Sequence, residues 1–391
     1  MATSTPSPPL SAPPAAALAH SAELCRLIAA EIESGGGRLS FARYMELALF
    51  APGLGYYMAG ARKLGRDGDF VTAPGISPLY GRTLARPLRQ LAASGLDEIL
   101  EIGAGSGALA ADILLELERL GRVPRRYLML ELSPDLRERS RDTLAARAPH
   151  LLERVAWLNQ LPPRFEGVVL GNEVLDAMPV HRVVRSRGNI LEGFVGHDAA
   201  SRSFHDLEWT AGDAVRQAAA DLPLPDDDYK TEIQLVARGF IRSLGAMLGR
   251  GVALFFDYGF PRREYYHPQR HRGTLMCHYR HRAHDDPYFL PGLQDITSHV
   301  DFSAIADAGR DAGLDLLGYT NQAQYLVNCG ITDVLAETPA ADAAVYAPLA
   351  AGAQKLLSPA EMGELFKVIA LGRGVPEPLL GFARGDRSHT L

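Results

Sequence analysis

The feature that most constrains the fold of this chain is a glycine-rich turn between an apolar strand and an amphipathic helix. The turn reads Glu-Ile-Gly-Ala-Gly-Ser-Gly-Ala over residues 101–108. Residues 98–102 predict a short apolar strand, and an apolar stripe at helical spacing predicts the helix that follows: Leu109, Ile113, Leu114, Leu117 and Leu120. Glycines at such a junction let the backbone approach a ligand closely. The turn therefore predicts a nucleotide-type ligand at the end of this strand.

Strands and helices alternate beyond the turn, which predicts an α/β protein with a parallel, doubly wound sheet. The 391 residues, 47% hydrophobic and 22% charged, suffice for one to three domains with a large core. The predicted strands are 98–102, 127–132, 155–158, 167–170 and 252–256. The predicted divisions are a disordered tail (1–20), a helical and loop extension (21–95), a first part of the core (96–182), an inserted hairpin and linker (183–228), the core continued (229–260), an inserted basic and aromatic segment called the lip (261–300), the C-terminal part of the core (301–374) and a tail (375–391).

The acid that precedes the turn favours one class of nucleotide. A G-x-G-x-x-A spacing from Gly103 also satisfies the dinucleotide fingerprint, which leaves a nicotinamide-dependent oxidoreductase open. A carboxylate at Glu101 would repel a pyrophosphate, but it would attract the sulfonium and ammonium groups of S-adenosyl-L-methionine. Glu131 ends the next strand, where an acid can accept hydrogen bonds from ribose hydroxyls. We therefore assign the binding of a methyl donor to Glu101, Gly103, Gly105, Gly107 and Glu131.

Polar residues also follow the strand at 167–170. Asn172, Glu173 and Asp176 should lie at the carboxyl edge of the sheet, where open α/β sheets bind ligands. Two carboxylates there match the donor fork of a guanidinium, could orient its nitrogen, and could accept the proton that it loses. We assign all three residues to catalysis and Asn172 also to the cofactor. The alternative is that the two acids cap the next helix.

Other strand ends give further candidates. Asp257 and Tyr258 follow the strand at 252–256, and the same edge placement assigns them to substrate binding. Asn159 follows the strand at 155–158, where adenine contacts commonly fall in nucleotide-binding sheets, and it is assigned to the cofactor.

Composition and charge exclude several classes of function. A net charge of −6 argues against a protein that coats nucleic-acid phosphates. Three scattered cysteines form no disulfide framework, and arginines among the histidines of the lip oppose a metal ion. The tyrosines and arginines of the lip leave RNA stacking open as an alternative. We recognise no membrane-spanning segment and no secretory or mitochondrial targeting signal in the sequence, so we expect a cytoplasmic protein.

Several motifs along residues 21–374 together resemble the MidA-like family, which includes a mitochondrial complex I assembly factor that methylates a protein arginine. The matching segments are Gly55-Tyr-Tyr57, Gly68-Asp-Phe-Val-Thr-Ala-Pro74, Ile76-Ser-Pro78, Glu101-Ile-Gly-Ala-Gly-Ser-Gly107, Glu131-Leu-Ser-Pro134, Gly171-Asn-Glu-Val-Leu-Asp176, Asp257-Tyr-Gly259, Arg272-Gly-Thr-Leu275, Asp295-Ile-Thr297 and His299-Val-Asp-Phe302.

The resemblance implies a class I methyltransferase, a Rossmann-like fold whose seven-stranded sheet carries a helical N-terminal extension and inserted segments. It makes 366–371 a late strand of that sheet. It implies S-adenosyl-L-methionine as cofactor and places over it a loop that contains Asp69, Phe70 and Thr72. It also implies symmetric dimethylation of an arginine in a respiratory complex I subunit of the 49-kDa type, which the lip receives through Arg272 and His278.

One position departs from the family pattern. Family members commonly have Pro-Glu-Ile/Leu-Ser where this chain has Pro74-Gly75-Ile76-Ser77. If that missing carboxylate helps to hold a substrate cation, the substrate could differ.

The alternatives are a non-catalytic complex I assembly scaffold that retains donor binding, and a methyltransferase for RNA or a small molecule. A homodimer is also left open.

Overall fold

A computed structural model describes residues 13–60, 72–225, 228–375 and 378–391. The helices within these ranges are α1 (Ala15–Ser34), α2 (Phe41–Phe50), α3 (Ala73–Ile76), α4 (Leu79–Ala93), α5 (Ala108–Arg119), α6 (Pro134–Arg147), α7 (Asp213–Ala220), α8 (Leu235–Met247), α9 (Arg262–Tyr265), α10 (Phe302–Asp311), α11 (Gln322–Asn328), α12 (Ile331–Ala336) and α13 (Ala343–Leu357). Short 3₁₀ turns occupy Pro149–Arg154, Pro268–Arg270, Leu380–Phe382 and Ser388–Thr390.

The strands in the same ranges are β1 (Leu39–Ser40), β2 (Glu98–Ile102), β3 (Arg126–Leu130), β4 (Val155–Leu158), β5 (Phe165–Asn172), β6 (His181–Ser186), β7 (Asn189–Asp198), β8 (Ser203–Thr210), β9 (Tyr229–Ile233), β10 (Leu248–Phe260), β11 (Met276–Tyr279), β12 (Arg282–His284), β13 (Asp295–Thr297), β14 (Val300–Asp301), β15 (Asp315–Asn321) and β16 (Phe366–Arg373).

The main sheet has seven strands in the order β15-β16-β10-β5-β2-β3-β4, and β14 adds a short parallel pairing beside the end of β10. The five strands from β10 to β4 run parallel, whereas β16 is antiparallel to both β10 and β15. Every residue of β2 is buried, as expected for a sheet that is covered on both faces. This architecture confirms the predicted Rossmann-like class I fold.

Helices cover both faces of the sheet. Side chains of α4 and α5 pack in one hydrophobic cluster with the strands, and side chains of α8 and α10 pack in another. Because the strands are parallel, their carboxyl ends meet at one edge, which positions the candidate site. Within the described ranges, no helix has the length and apolar character needed to cross a membrane.

The inserted hairpin belongs to a second, antiparallel sheet. Strands β6 and β7 pair around Arg187 and Gly188, whose φ angles of 50° and 76° suit a two-residue hairpin turn, so the predicted hairpin is confirmed. Strand β8 extends the sheet beyond β7, and β1 brings the N-terminal extension onto it. Strand β9 pairs with β6. Residues Tyr229–Ile233 open the range 229–260 that was predicted as core, but they therefore belong to the inserted sheet.

Both predicted tails are shorter than expected. Helix α1 begins at Ala15, inside the range assigned to a disordered tail, and buries Leu24 and Ile28 completely. Residues 1–12 lie outside the described residues. Near the other end, Phe382 is buried, and an Asp386 Oδ1 atom accepts a hydrogen bond from the Tyr319 N–H at 3.0 Å. The segment after β16 therefore packs against the edge of the main sheet.

Candidate active site

A cavity of about 1220 Å³ opens at the carboxyl ends of β2, β3 and β5. Its walls also include residues of α2, of the lip and of the start of β16. Small-molecule sites commonly measure roughly 300–1,000 Å³. The cavity is therefore large enough for a nucleotide-sized ligand and a second reactant.

The glycine turn forms one wall of this cavity. Gly103, Gly105 and Gly107 have φ angles of 66°, 54° and 76°, a conformation that other residues rarely adopt. A Cβ atom on Gly103 would lie 3.1 Å from the Val174 Cγ2 atom. Gly107 caps the N-terminus of α5, outside the cavity lining. These glycines therefore keep the turn compact, and two of them face the cavity.

We expect Gly107→Ala to lower the free energy of unfolding by about 2–4 kcal/mol, because it combines left-handed backbone strain with overpacking. The new Cβ would lie 2.9 Å from the Ser140 Cα atom. Gly121→Ala is the matched control, since Gly121 has a φ of 70° and a Cβ added there would meet no atom of the described residues within 4 Å. Denaturant unfolding of both variants measures the difference, and equal losses would contradict the clash.

Two carboxylates meet the turn. The Glu131 Oε2 atom accepts a hydrogen bond from the Gly105 N–H at 2.8 Å, and its Oε1 atom accepts one from the Ser133 N–H at 2.9 Å. The Tyr127 hydroxyl donates to the Glu101 Oε2 atom at 2.8 Å. Burial raises the pKa of Glu101 to about 8. A ligand cation near this carboxyl group would lower its pKa again and favour the ionised form.

A chain of hydrogen bonds orients Glu173. The Tyr80 hydroxyl donates to the Asn172 Oδ1 atom at 2.7 Å, and the Asn172 Nδ2 atom donates to the Glu173 Oε1 atom at 2.9 Å. Glu173 has a φ of 53°, and its N–H donates to the Phe256 carbonyl at 2.8 Å. Burial, and then the neighbouring Asp176, raise its pKa to about 8. Such a conformation persists where surrounding contacts impose it, and here the hydrogen bond to the Phe256 carbonyl does so.

Asp176 and Asp257 have different positions. Asp257 is absent from the cavity lining, and its Oδ2 atom accepts hydrogen bonds from the N–H groups of Val174, Leu175 and Asp176 at 3.1, 2.8 and 3.3 Å. Asp257 thus holds the turn that presents the other acids, in contrast to its predicted contact with substrate. Asp176 lines the cavity, and its Oδ1 atom has no hydrogen-bond partner among the described residues. Burial raises the pKa of Asp176 to about 6.

The raised pKa of Glu173 predicts a pH-dependent stability difference. A carboxyl whose folded pKa lies above its unfolded value contributes stability at low pH that is lost as the pH rises toward the folded pKa. We therefore expect Glu173→Gln to gain stability relative to the wild type between pH 5 and about 8, by roughly 2–4 kcal/mol. Unfolding curves at several pH values measure this, with the exposed Glu153→Gln as control. If the free energies of unfolding of Glu173→Gln and wild type changed with pH in parallel, the prediction would be contradicted.

The cavity as a whole is acidic. Among the described residues, six carboxylates line it, from Glu46, Glu101, Glu131, Glu173, Asp176 and Asp295. The cationic Arg43 is paired with Glu31 at 2.7 Å and Glu46 at 2.8 Å, and burial lowers the pKa of His299 to about 4. Clustered carboxylates with low-dielectric walls attract cations. The donor set therefore fits a ligand with sulfonium and ammonium groups.

An apolar surface adjoins the glycine turn. Leu132 follows Glu131 directly, lines the cavity and is 58% exposed. Leu136, Leu161 and Phe240 also line the cavity. A flat aromatic base could pack against such side chains, so the residues present fit an adenine nucleoside as well as its cationic end.

The structure brings most predicted site residues together. The cavity is lined by Thr72, Glu101, Gly103, Gly105, Glu131, Asn172, Glu173, Asp176, Tyr258 and His278. Asn159 and Arg272 do not line it. Asn159 accepts a hydrogen bond from Arg137, and Arg272, 81% exposed, lies 3.8 Å from Asp285. Asp69 and Phe70 fall outside the described residues.

Sequence reasoning missed several residues of the site. The Tyr57 hydroxyl donates to the Asp295 Oδ1 atom at 2.9 Å, and both residues line the cavity. Both lie in motifs of the family resemblance, the signal that could have identified them. Glu46 on α2 and His181 on β6 also line the cavity, and neither follows a strand of the main sheet.

Comparisons with known proteins give consistent results. A family model described as "Putative S-adenosyl-L-methionine-dependent methyltransferase" matches residues 79–320. The mitochondrial protein arginine methyltransferase NDUFAF7 of Mus musculus is 30% identical over 368 residues, 86% of this chain and 81% of that protein. The protein of that name from Danio rerio is 27% identical over 369 residues, 86% of this chain and 83% of that protein. A crystal structure of a "likely methyl transferase" from Burkholderia thailandensis, bound to S-adenosyl-homocysteine, is 54% identical, covers 98% of this chain and 100% of that chain, and has a TM-score of 0.94.

Proposed function

The chain belongs to the family of S-adenosyl-L-methionine-dependent methyltransferases, and from that premise we propose that it methylates an arginine of a protein substrate. S-adenosyl-L-methionine is its methyl donor, which sets the nicotinamide alternative aside. Support for arginine comes from the curated relatives, which are named as protein arginine methyltransferases.

One observation supports the proposal most strongly. Asp176 lines the cavity with an Oδ1 atom that lacks a partner among the described residues, and Glu173 lines the same cavity. A buried carboxylate oxygen without a partner is costly unless a ligand supplies a donor. A guanidinium supplies donors in a fork that carboxylates match in pairs. We therefore assign substrate binding and orientation to Glu173 and Asp176.

The reaction requires mainly positioning. The donor supplies an activated methyl group, and alignment of two bound reactants can contribute up to roughly 7–11 kcal/mol. Asn172 fixes the Glu173 carboxylate, and Asp257 fixes the backbone that carries Asp176. Tyr258 forms a hydrogen bond with the Asp176 side chain and packs against the His299 and Phe366 rings at 5.2 and 5.4 Å. Each acid of the pair is thus held by a second group.

The client and the product follow the family resemblance. We propose a respiratory complex I subunit of the 49-kDa type as the client and symmetric dimethylarginine as the product. The cytoplasm is the proposed location, which the solved structures from the bacterium Burkholderia thailandensis support.

A labelling experiment tests the function. Purified protein is incubated with methyl-labelled S-adenosyl-L-methionine and a lysate that contains complex I subunits, and the products are separated into protein, RNA and small molecules. We expect label in protein, with mass spectrometry locating it on arginine as the symmetric dimethyl form. The Asp176→Asn protein serves as the control. Label in RNA or in metabolites without label in protein would contradict the proposed substrate.

A further inference from the structure

A histidine and a buried glutamate form a pair at the wall of the cavity, on the inserted sheet. The His181 Nδ1 atom lies 2.7 Å from the Glu192 Oε1 atom, and His181 lines the cavity. Val183 on β6 stands opposite Glu192 on β7, so His181, two residues earlier, is its diagonal neighbour on the same face. The pairing therefore follows from the register of the hairpin.

The geometry fixes which nitrogen of His181 carries the proton. The Glu192 Oε2 atom accepts a second hydrogen bond from the Gly212 N–H at 3.2 Å. Burial alone would raise the pKa of Glu192, but the hydrogen bonds from His181 and Gly212 hold this pKa below its usual value. An ionised carboxylate only accepts, so the Nδ1 atom of neutral His181 must donate. Its Nε2 atom is then a proton acceptor.

Methylation of a guanidinium releases a proton into a cavity that retains protons readily. The lone pair of the substrate nitrogen forms the new N–C bond, the electrons of the broken S–C bond stay on sulfur and cancel its charge, and one N–H proton must leave. Burial raises the pKa of both Glu173 and Asp176. A proton left on either acid would remove the charge that binds the next guanidinium. A route from the cavity to solvent would prevent this.

We propose that the His181–Glu192 pair is the proton outlet of the cavity: the Nε2 atom of His181 takes the released proton, directly or through one water, and passes it to solvent. This inference rests on the proposed function. The His181 side chain is 20% exposed while Glu192 is 5% exposed, so the histidine reaches water and the glutamate anchors it. Glu192 is thus a positioning residue.

The charged groups around the pair come from α2, β7 and β9. From α2, the charged residues at the same cavity wall are Arg43 and Glu46, which are paired with each other at 2.8 Å. From β9, Ile233 stands beside His181, and Glu232 accepts hydrogen bonds from Thr274. Among these groups of the described residues, Glu192 is the carboxylate in direct contact with the imidazole.

The test uses the full-length protein and compares His181→Asn with the wild type. An asparagine Nδ2 group can replace the hydrogen bond to Glu192, but it offers no nitrogen that accepts a proton. We expect kcat to fall by about 10²-fold or more while KM for both substrates and the unfolding midpoint change little. The pH profile of kcat should also change, because the variant lacks the nitrogen that accepts the proton. His150→Asn is the matched control, because His150 forms a similar pair with Glu118 at 2.9 Å outside the cavity lining.

A second variant covers the case in which His181→Asn folds poorly. Glu192→Gln removes the charge that faces the imidazole and the fixed acceptor of its Nδ1 proton, so the pH profile of kcat should change in this variant too. A His181→Asn protein with wild-type kcat and an unchanged pH profile overturns the outlet, as does a Glu192→Gln profile that does not move. These results leave arginine methylation by the wild type intact. A wild type that labels no protein acceptor overturns the proposed function and the outlet together.

Discussion

Replacing Asp176 by asparagine will lower kcat by about 10²–10⁴-fold and leave the dissociation constant of S-adenosyl-L-methionine within a few-fold of the wild type. Asn keeps the shape of the side chain but removes the charge that would hold the guanidinium. Because burial raises the pKa of Asp176, a neutral side chain at this position does not weaken the fold at pH 8. Loss of activity can therefore be separated from loss of structure.

The measurement combines single-turnover methylation, calorimetry with the donor and a thermal unfolding curve. Asp142→Asn, at an exposed position of α6, is the matched control. If Asp176→Asn turned over as fast as this control, Asp176 would have no part in the reaction. A large fall in donor affinity would instead place Asp176 in the cofactor site.

Glu131→Gln will act on the other reactant and weaken donor binding by about 10- to 100-fold. The two Glu131 oxygens accept backbone hydrogen bonds from Gly105 and Ser133, and a glutamine would turn an NH₂ donor toward one of those N–H groups. The loss of a hydrogen bond to a charged group costs about 1.5–3 kcal/mol, and each 1.4 kcal/mol is tenfold in affinity. A saturating concentration of S-adenosyl-L-methionine should restore much of the methylation rate that Glu131→Gln loses.

Calorimetry with S-adenosyl-L-methionine and S-adenosyl-homocysteine checks this assignment, with the exposed Glu138→Gln as control. Both ligands carry the same ribose, so the two affinities should fall together. A loss confined to the methyl donor would indicate that Glu131 senses the sulfonium charge and not the sugar. Unchanged affinity for both ligands would remove Glu131 from the binding site.

The sequence predicted those parts of the site that depend on local patterns. Glu101 and Glu131 each mark the end of an apolar run, and parallel strands bring such ends to one edge. Asp257 shows the limit of this reasoning. Its neighbour Phe256 pairs with Asn172 at the end of β5, but β10 continues to Phe260. The Asp257 carboxylate accepts hydrogen bonds from three backbone N–H groups of a turn that lies far away in sequence. Periodicity carries no information about such long-range contacts.

Residues from the inserted segments were missed for the same reason. His181 reaches the cavity because β6 pairs with β7 and β9 in a separate sheet, and Asp295 reaches it because β13 pairs with β11 in the lip. Neither position follows a strand of the main sheet. The neighbour relations between sheets depend on tertiary packing, which a single sequence does not display.

The position of β16 has a consequence for biosynthesis. This strand follows both β10 and β15 in the sequence but lies between them in the sheet, and it pairs with both. Until residues 366–373 leave the ribosome, β10 and β15 must each expose an unpaired edge, and unpaired edges recruit other strands. The nascent chain therefore cannot complete its central sheet before β16 has been synthesised. We therefore expect chains that are truncated before β16 to aggregate more readily than the full chain.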